Sequence, residues 1–364
     1  MFSEHDSAWM AQAIRLAQQG LYGASPNPRV GCVLVNDEKL LGSGWHQQAG
    51  EPHAEIHALR EAGDKARGAT AYVTLEPCSH YGKTPPCADA LIESGVARVV
   101  VAVQDPNPRV AGQGVEKLRS AGIDVEVGLM EGAACELNVG FLTRMTRGTP
   151  WVRSKIAMSL DGRTALKNGE SKWITSDAAR QDVQHWRARS CVVLTGIDTV
   201  LADDCQLNVR DFKTRRQPLR VVLDSQLRMP LNARILQGES VLIYTALDDA
   251  QKIGVLQDAG ALICVLPGEN EQVDLLVMLR DLAQRGFNEV LLEAGSTLNG
   301  AMIRAGLVDE LLLYIAPQLL GDTARGMAQL GELIRLDQRV DLDWHDVRQV
   351  GKDFRIQVKV LKEQ

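Results

Sequence analysis

The residues that could do chemistry concentrate between His53 and Cys87. This stretch holds His53-Ala54-Glu55, then Thr74-Leu75-Glu76-Pro77-Cys78, then Thr84-Pro85-Pro86-Cys87. One imidazole and two thiols are the protein ligands of a catalytic zinc site, with the fourth position left for water. A neutral imidazole and two thiolates would cancel the charge of a divalent ion. The ion would lower the pKa of that water from about 15.7 towards about 7. If His53 starts a helix, Glu55 cannot easily become a fourth ligand; it can lean over the open position and move protons. Glu76, beside the metal loop, reads as a structural hydrogen-bond partner. Three other readings of these residues stay open: His53 and His57 as an i, i+4 metal pair, a structural zinc closed by protein, and Cys78 and Cys87 as plain core thiols.

These groups need elements to hold them, and the sequence alternates helices with strands. Residues 7 to 19 read as an amphipathic helix with Met10, Ile14 and Ala17 on one face and Gly20 as its stop. Val30–Val35 and Leu40–Trp45 read as a hairpin about Asn36-Asp37. Helices over His53–Ala62, Cys87–Ser94, Gly114–Ala121 and Glu131–Met145 alternate with strands Ala71–Leu75, Val96–Val103 and Ile123–Val127. That order predicts an α/β sandwich with a partly parallel sheet. Residues 146–150 are the expected linker, placing a first domain at 1–147 and a second at 148–364. The second restarts with a strand at Trp151–Met158, and a helix begins at Ser176, a good N-cap. Strands follow at Cys191–Thr195, Arg220–Leu223, Val241–Tyr244, Ala261–Leu266, Glu289–Leu292 and Leu311–Ile315, with a helix over Asp274–Arg285. A hairpin of Trp344–Val350 and Phe354–Val360 closes the chain.

No Gly-x-Gly-x-x-Gly follows the first strand of the second unit, so the ordinary dinucleotide fingerprint is missing. Instead, Glu289–Glu293 runs into Ala294-Gly295-Ser296-Thr297-Leu298-Asn299-Gly300-Ala301. This is a strand, a small-residue turn and a helix start, where free N–H groups can receive a phosphate.

The totals narrow the class. A chain of 364 residues suggests two or three domains. The balance of 40 basic against 46 acidic residues supplies no overall basic field for nucleic acid. No apolar run is long enough to span a bilayer, and the N-terminal residues lack the apolar segment of a signal peptide. Seven scattered cysteines suit reduced thiols in a cytoplasm.

Zinc deaminases carry H-x-E followed by P-C-x-x-C, with the Glu as general acid/base. The first half fits here; in the second, eight residues separate the cysteines. Thr74–His80 followed by Gly82–Cys87, with Pro26–Gly31 upstream and Gln104–Pro108 downstream, resembles the pyrimidine deaminases of riboflavin biosynthesis. Lys155–Arg163, Ser171–Ser176, Thr199–Asp204 and Val222–Ser225 resemble the reductase half of the bifunctional deaminase/reductase of that pathway. The resemblance implies a cytidine-deaminase-like α/β/α sandwich followed by a dihydrofolate-reductase-like α/β domain. It implies one zinc ion at the deaminase site, held by His53, Cys78 and Cys87 with Glu55 catalytic, and NADPH at the reductase site.

By position, the resemblance makes Asn27 and His46 holders of the pyrimidine, and His80 and Lys83 candidates for the phosphate or ribose. Arg29, Asp105 and Asn107 also match the pattern, with Asp105–Pro108 expected to form a turn. Ala157, Trp173, Thr199, Asp203, Ser225 and the loop Gly295, Ser296, Thr297, Leu298, Asn299, Gly300, Ala301 would contact the cofactor. Ser171, Arg187, Leu207, Arg210 and Glu293 would contact the substrate, with Arg187 and Arg210 suited to clamp a phosphate. Lys155 and Asp203 are candidates to assist the reduction. The plainer alternatives are a solvated loop for His80 and Lys83, an exposed helix position for Arg187 and core packing for Trp173. The implied partner is a small phosphoribosyl pyrimidine, with no nucleic acid or membrane, in a homo-oligomer. The rivals are a nucleic-acid or free-cytosine deaminase and a binding protein without turnover.

Overall fold

The structure, a computed structural model, describes residues 2–81, 85–107 and 110–362. The chain divides into two compact units, Met1–Gly148 and Thr149–Gln364.

The first unit runs α1 (Glu4–Gln18), β1 (Gly31–Asn36), β2 (Lys39–Trp45), α2 (Ala54–Ala62), β3 (Thr70–Val73), α3 (Cys87–Ser94), β4 (Arg98–Val101), α4 (Gln113–Ser120), β5 (Asp124–Val127), α5 (Glu131–Leu137) and α6 (Val139–Arg147). Its sheet has the order β2-β1-β3-β4-β5. The first three strands are antiparallel neighbours, and β3, β4 and β5 are parallel. Alternate strand residues go to opposite faces, so Cys32, Leu34, Ala71, Val73, Val99 and Val101 pack with α2, α3 and α4. Val33, Tyr72 and Val100 pack with α1 and α6 on the other side. This is a three-layer α/β/α sandwich.

Two local devices escape the hydrophobic pattern. α1 begins at Glu4, earlier than its apolar stripe, because Ser3 and Asp6 form a reciprocal capping box. The single helix expected over Glu131–Met145 is two helices. Asn138 breaks them with φ −111° and ψ 18°, and its buried amide bonds the main chain of Arg29 twice, at 2.8 Å each. Two long-range hydrogen bonds there outweigh the one turn of helix that is lost.

The second unit runs β6 (Trp151–Ser159), β7 (Arg163–Ala165), α7 (Asp177–Arg189), β8 (Val192–Gly196), α8 (Ile197–Asp203), β9 (Leu219–Leu223), β10 (Val241–Thr245), α9 (Ala250–Asp258), β11 (Ala261–Val265), α10 (Leu275–Gln284), β12 (Glu289–Leu292), α11 (Ser296–Arg304), β13 (Glu310–Ala316), β14 (Arg325–Gly326), β15 (Leu342–Val350) and β16 (Asp353–Val360). Its main sheet has the order β11-β10-β9-β8-β12-β6-β13-β16-β15. The seven strands from β11 to β13 are parallel, and β16 and β15 are antiparallel additions. Met278, Leu282, Met302 and Ile303 of α10 and α11 cover one face. Ala179, Val183, Trp186, Ile197, Val200 and Leu256 of α7, α8 and α9 cover the other. β12 returns between β6 and β8, which makes a crevice at the carboxyl ends of these strands, where ligands of open α/β sheets bind.

The α7 N-terminus is capped twice. Ser176 Oγ accepts the Ala179 N–H, and Asp353 from the β15–β16 turn accepts both the Ser176 N–H and its hydroxyl. α8 and α9 were not foreseen: α8 is short, and α9 buries only Leu256, too little for a visible period. No helix among the described residues is long and apolar enough to cross a membrane.

Asn138→Ala should leave both Arg29 main-chain groups without their buried partner. We expect a loss of about 1–3 kcal/mol for the first unit, read as a lower urea midpoint by circular dichroism.

Candidate active sites

In the first unit, His53 is the N-cap of α2, Cys87 is the first residue of α3, and Cys78 lies on the loop that follows β3. Two helix N-termini therefore frame the site, and their dipoles favour anionic ligands such as a thiolate. One donor atom each of His53, Cys78 and Cys87 lies within 4.8 Å of the others. His53 Nδ1 is 3.2 Å from Cys87 Sγ and 3.6 Å from Cys78 Sγ. The Cys87 N–H donates to Cys78 Sγ at 3.3 Å.

Hydrogen bonding from Cys87 pulls the Cys78 thiol down to about 4, against the opposing effect of burial. The same contact, with burial, pushes Cys87 up, and the bond to Cys78 raises His53. The cluster thus holds protons that a divalent cation would replace. The donor set and its spacing fit a zinc ion. His57 keeps a buried Nε2 without a hydrogen-bond partner among the described residues and does not belong to this cluster.

Glu55 sits in the first turn of α2 and is 3% exposed. Burial pushes its carboxyl up to about 7. Its Oε2 is buried with no hydrogen-bond partner among the described residues. A carboxylate beside three metal-type donors with one oxygen left over is placed to exchange a proton with a water in that gap.

Glu76 has a different job. Its Oε1 accepts the N–H groups of Gly114 and Val115, and its Oε2 those of Asp105 and Gly112, at 2.9 to 3.2 Å. It anchors the start of α4, as a structural partner should. Asp105 makes the expected local turn by accepting the Asn107 N–H at 2.8 Å.

His46 is buried, and burial lowers its pKa, so it is neutral near pH 7. Its Nδ1 lies 3.3 Å from the Pro52 carbonyl, and its Nε2 lies 3.1 Å from the Asn27 amide nitrogen. That pairing assigns the proton to Nδ1 and makes Nε2 the acceptor. The ring meets His53 edge-on at 5.3 Å, so Asn27, His46 and the metal-type cluster are contiguous. His80 is exposed, and Lys83 lies outside the described residues.

In the second unit, Glu293 follows β12 and is buried. Arg187 of α7 grips it with Nε to Oε1 at 2.6 Å and Nη2 to Oε2 at 3.0 Å. Lys155 of β6 approaches Oε2 at 3.6 Å. Burial alone would raise the Glu293 carboxyl, but Arg187 and Lys155 outweigh it and hold it at about 2. Burial lowers Lys155, with Arg187 adding to the effect. Arg187 is therefore not an exposed helix residue, and its Nε and Nη2 are engaged by Glu293.

Asp203 ends α8 and pairs with Lys172 at 3.2 Å. Thr199 lies on the same helix, Ser171 is half-buried, and Ala157 lies on β6. Ser225 follows β9, and its hydroxyl accepts the Val273 N–H. Trp173 is 69% exposed with Arg180 stacked 4.4 Å over its ring, which rules out core packing. Leu207 is buried.

The turn into α11 is only partly a ligand cradle. Gly295 is its N-cap and has open space beside it, and Ser296 and Thr297 begin the helix. Leu298 packs against Gly196. Asn299 spends its side chain on the Ala294 carbonyl at 3.1 Å and on the Ser154 hydroxyl, also at 3.1 Å. A side chain at Gly300 would strike the Gln329 main chain at 2.2 Å, so that glycine serves packing. Ala301 lies within the helix.

Two residues the sequence reading passed over are Gln184 and Gln217. Gln184 and Arg187 share the buried side of α7 with Val183. A polar residue recurring in an apolar stripe was the available signal.

The chain resembles known proteins over nearly its whole length. The model for the cytidine and deoxycytidylate deaminase zinc-binding region matches residues 3–103, and the RibD C-terminal domain model matches residues 150–356. The riboflavin biosynthesis protein RibD of Escherichia coli is 50% identical over 362 residues, covering 96% of this chain and 97% of that protein. The Haemophilus influenzae protein of the same name is 47% identical, covering 98% and 97%. A solved structure of Acinetobacter baumannii RibD superposes with a TM-score of 0.92 at 50% identity, covering 99% of both chains. A Thermotoga maritima structure described as a diaminohydroxyphosphoribosylaminopyrimidine deaminase/5-amino-6-(5-phosphoribosylamino)uracil reductase has a TM-score of 0.88 at 33% identity, covering 98% of this chain and 99% of that one.

Arg187→Met would leave Glu293 buried with Lys155 as its remaining cation. Removing one partner of a buried pair costs about 3–5 kcal/mol, and Lys155 should hold the loss near the lower end. Differential scanning calorimetry of the full chain should show it as a lower transition temperature for the second unit.

Proposed function

The chain belongs to the RibD family of riboflavin biosynthesis proteins, and from that premise we propose the substrates, cofactors and residue roles of its two reactions. It is a bifunctional enzyme of that pathway, a deaminase joined to a reductase. In our reading the first unit hydrolyses 2,5-diamino-6-(5-phosphoribosylamino)pyrimidin-4(3H)-one to 5-amino-6-(5-phosphoribosylamino)uracil and ammonia. The second unit reduces the ribosyl group of that product to a ribityl chain with NADPH. The convergence of His53, Cys78 and Cys87 beside the unpartnered oxygen of Glu55 carries the proposal.

His53, Cys78 and Cys87 would hold one zinc ion per chain, which would supply Lewis acidity to a water at neutral pH. Glu55 takes the proton of the attacking water at its free Oε2. It then gives protons to the ring nitrogen and to the departing ammonia. His46 holds the Asn27 amide, and the two present a fixed hydrogen-bonding edge to the pyrimidine. His80 and Lys83, on the loop between the two cysteines, serve the phosphoribosyl end.

In the second unit NADPH supplies the hydride. Ala157, Trp173, Thr199, Asp203, Ser225 and the Gly295–Ala301 turn would hold the cofactor. Glu293, kept ionised by Arg187, faces the ribosyl chain, with Ser171 and Leu207 beside it. Arg210 takes the phosphate, and Lys155 polarises the open-chain imine, with Asp203 assisting.

The reactions take place in the cytoplasm and involve no nucleic acid. A second copy of this chain completes the assembly. β15 is the end strand of its sheet, with Leu342, Trp344 and Val347 exposed, and Ile334 and Leu336 lie bare just before it. A long apolar edge of this kind asks for a partner.

Mass spectrometry of products tests the chemistry. The diaminopyrimidine should exchange an amine for oxygen without NADPH and gain two hydrogens only when NADPH is added. Glu55→Gln and removal of metal by a chelator should each lower deamination at least about 10²-fold, the scale of a lost general acid/base, while reduction of the deaminated compound continues. Joint loss of both activities in a folded variant would refute two independent sites. For the assembly, Trp344→Arg should shift the species seen by light scattering from an oligomer towards one chain.

A further inference from the structure

Residues 207–217 form no helix or strand, yet side chains hold the main chain at Asn208, Val209 and Arg210. Arg187 Nη1 donates to the Asn208 carbonyl at 3.3 Å. Gln217 accepts the Val209 N–H and donates to the Val209 carbonyl, both at 2.8 Å. Gln184 accepts the Arg210 N–H at 3.3 Å. Phe212 stacks on His185 with ring centres 4.6 Å apart and planes 21° from parallel. Arg216 reaches the last carbonyls of α7, Ala188 and Arg189, at 3.4 and 3.5 Å.

The Gln217 amide matches one residue with one donor and one acceptor. It therefore does for Val209 what a neighbouring strand would do, without a strand. Leu207, at the start of the segment, has φ +55° and is buried. A non-glycine residue in this left-handed region is strained and persists only where its surroundings over-determine it.

What the segment delivers is Arg210. It is exposed, and its guanidinium makes no hydrogen bond or ion pair among the described residues. A tightly held main chain carrying a cation without a protein partner suits an anion that comes and goes. The hold on Asn208 comes from the same Arg187 that grips Glu293, so the segment shares its anchor with the centre of the site.

We propose that Gln217, supported by Gln184, is a positioning residue of the reductase reaction: its amide fixes the main chain of Val209 and Arg210 so that the Arg210 guanidinium meets the substrate phosphate. This rests on the reading of Arg210 as the phosphate ligand.

The test measures reductase kcat and KM in the full-length enzyme with 5-amino-6-(5-phosphoribosylamino)uracil and with its dephosphorylated counterpart. The variants are Gln217→Met, Gln217→Glu, Gln184→Met, Arg210→Ala and the double variant Gln217→Met/Arg210→Ala. Gln217→Met keeps the side-chain length and loses both hydrogen bonds. We expect it to raise KM for the phosphorylated substrate about tenfold, with kcat and the dephosphorylated reaction little changed. Gln217→Glu, which keeps the acceptor for the Val209 N–H, should fall between Gln217→Met and the unaltered enzyme. The double variant should be no worse than Arg210→Ala alone, because both changes remove one contact. Deamination and the melting profile check that the chain is folded, and Gln184→Met reads the same segment should Gln217→Met fail that check.

If Arg210→Ala raises KM selectively for the phosphorylated substrate while the Gln217 and Gln184 variants do not, the positioning role is overturned and the phosphate reading stands. If Arg210→Ala treats both substrates alike, the phosphate reading falls and takes the proposal with it. Equal losses on both substrates in Gln217→Met would mark a merely structural residue and would also overturn the proposal.

Discussion

Both units bury carboxylates, and each site is arranged around how that cost is answered. A buried ion costs several kcal/mol unless its surroundings replace the water it loses. Glu76 receives four main-chain N–H groups, two on each oxygen. Glu293 receives the fork of Arg187 and the nearby ammonium of Lys155. Glu55 is as deeply buried as either, yet one of its oxygens has no hydrogen-bond partner among the described residues. Glu76 holds structure in place, and Glu293 is kept ionised by its cations. The unsatisfied one has its pKa raised to about 7, where it can both take and return a proton near neutral pH.

The folds place these groups by the same economy. In the first unit, two helices begin at the site, so His53 and Cys87 come from positions where the chain has just turned, and the Cys87 N–H is turned onto Cys78 Sγ. In the second, β12 enters between strands that precede it in the chain, and Glu293 emerges from its end level with Lys155 on β6. Neither arrangement needs a long-range search by flexible side chains. The strands and helix starts bring the donors within a few ångströms, and packing fixes the rest.

Much of this was legible in the sequence because it depends on periods and spacings. The succession of helices and strands in the first unit followed from alternating apolar runs, and its zinc-type donors from one imidazole, two thiols and a nearby carboxylate. What stayed hidden depends on contacts between distant residues. Nothing near Asn138 announces that its amide will bond Arg29, so the broken helix read as continuous. Arg187 gave no sign that Glu293 would fill its fork, because the two lie 106 positions apart. Trp173 read as a cofactor contact with core packing as its alternative; it stands at the surface with a guanidinium stacked on it. No sequence signal showed that the Asn299 side chain would bond the Ala294 carbonyl or that the Gln329 main chain would press on Gly300.

The electrostatics of the second unit also narrow which group can give a proton there. Glu293 is held at about 2, so near neutral pH it is ionised and has no proton to donate. Asp203 is partly exposed and paired with Lys172 at 3.2 Å. Lys155 goes the other way: burial and the Arg187 charge lower its pKa and make its proton easier to release, while Glu293 keeps the ammonium from being lost outright. An ammonium loosened by burial and retained by a carboxylate is poised to share its proton with a developing negative charge and then recover it from solvent. Unlike Glu293, Lys155 carries a proton that its surroundings make easier to release. That ranking follows from which charges face one another, whatever reaction partner the crevice receives.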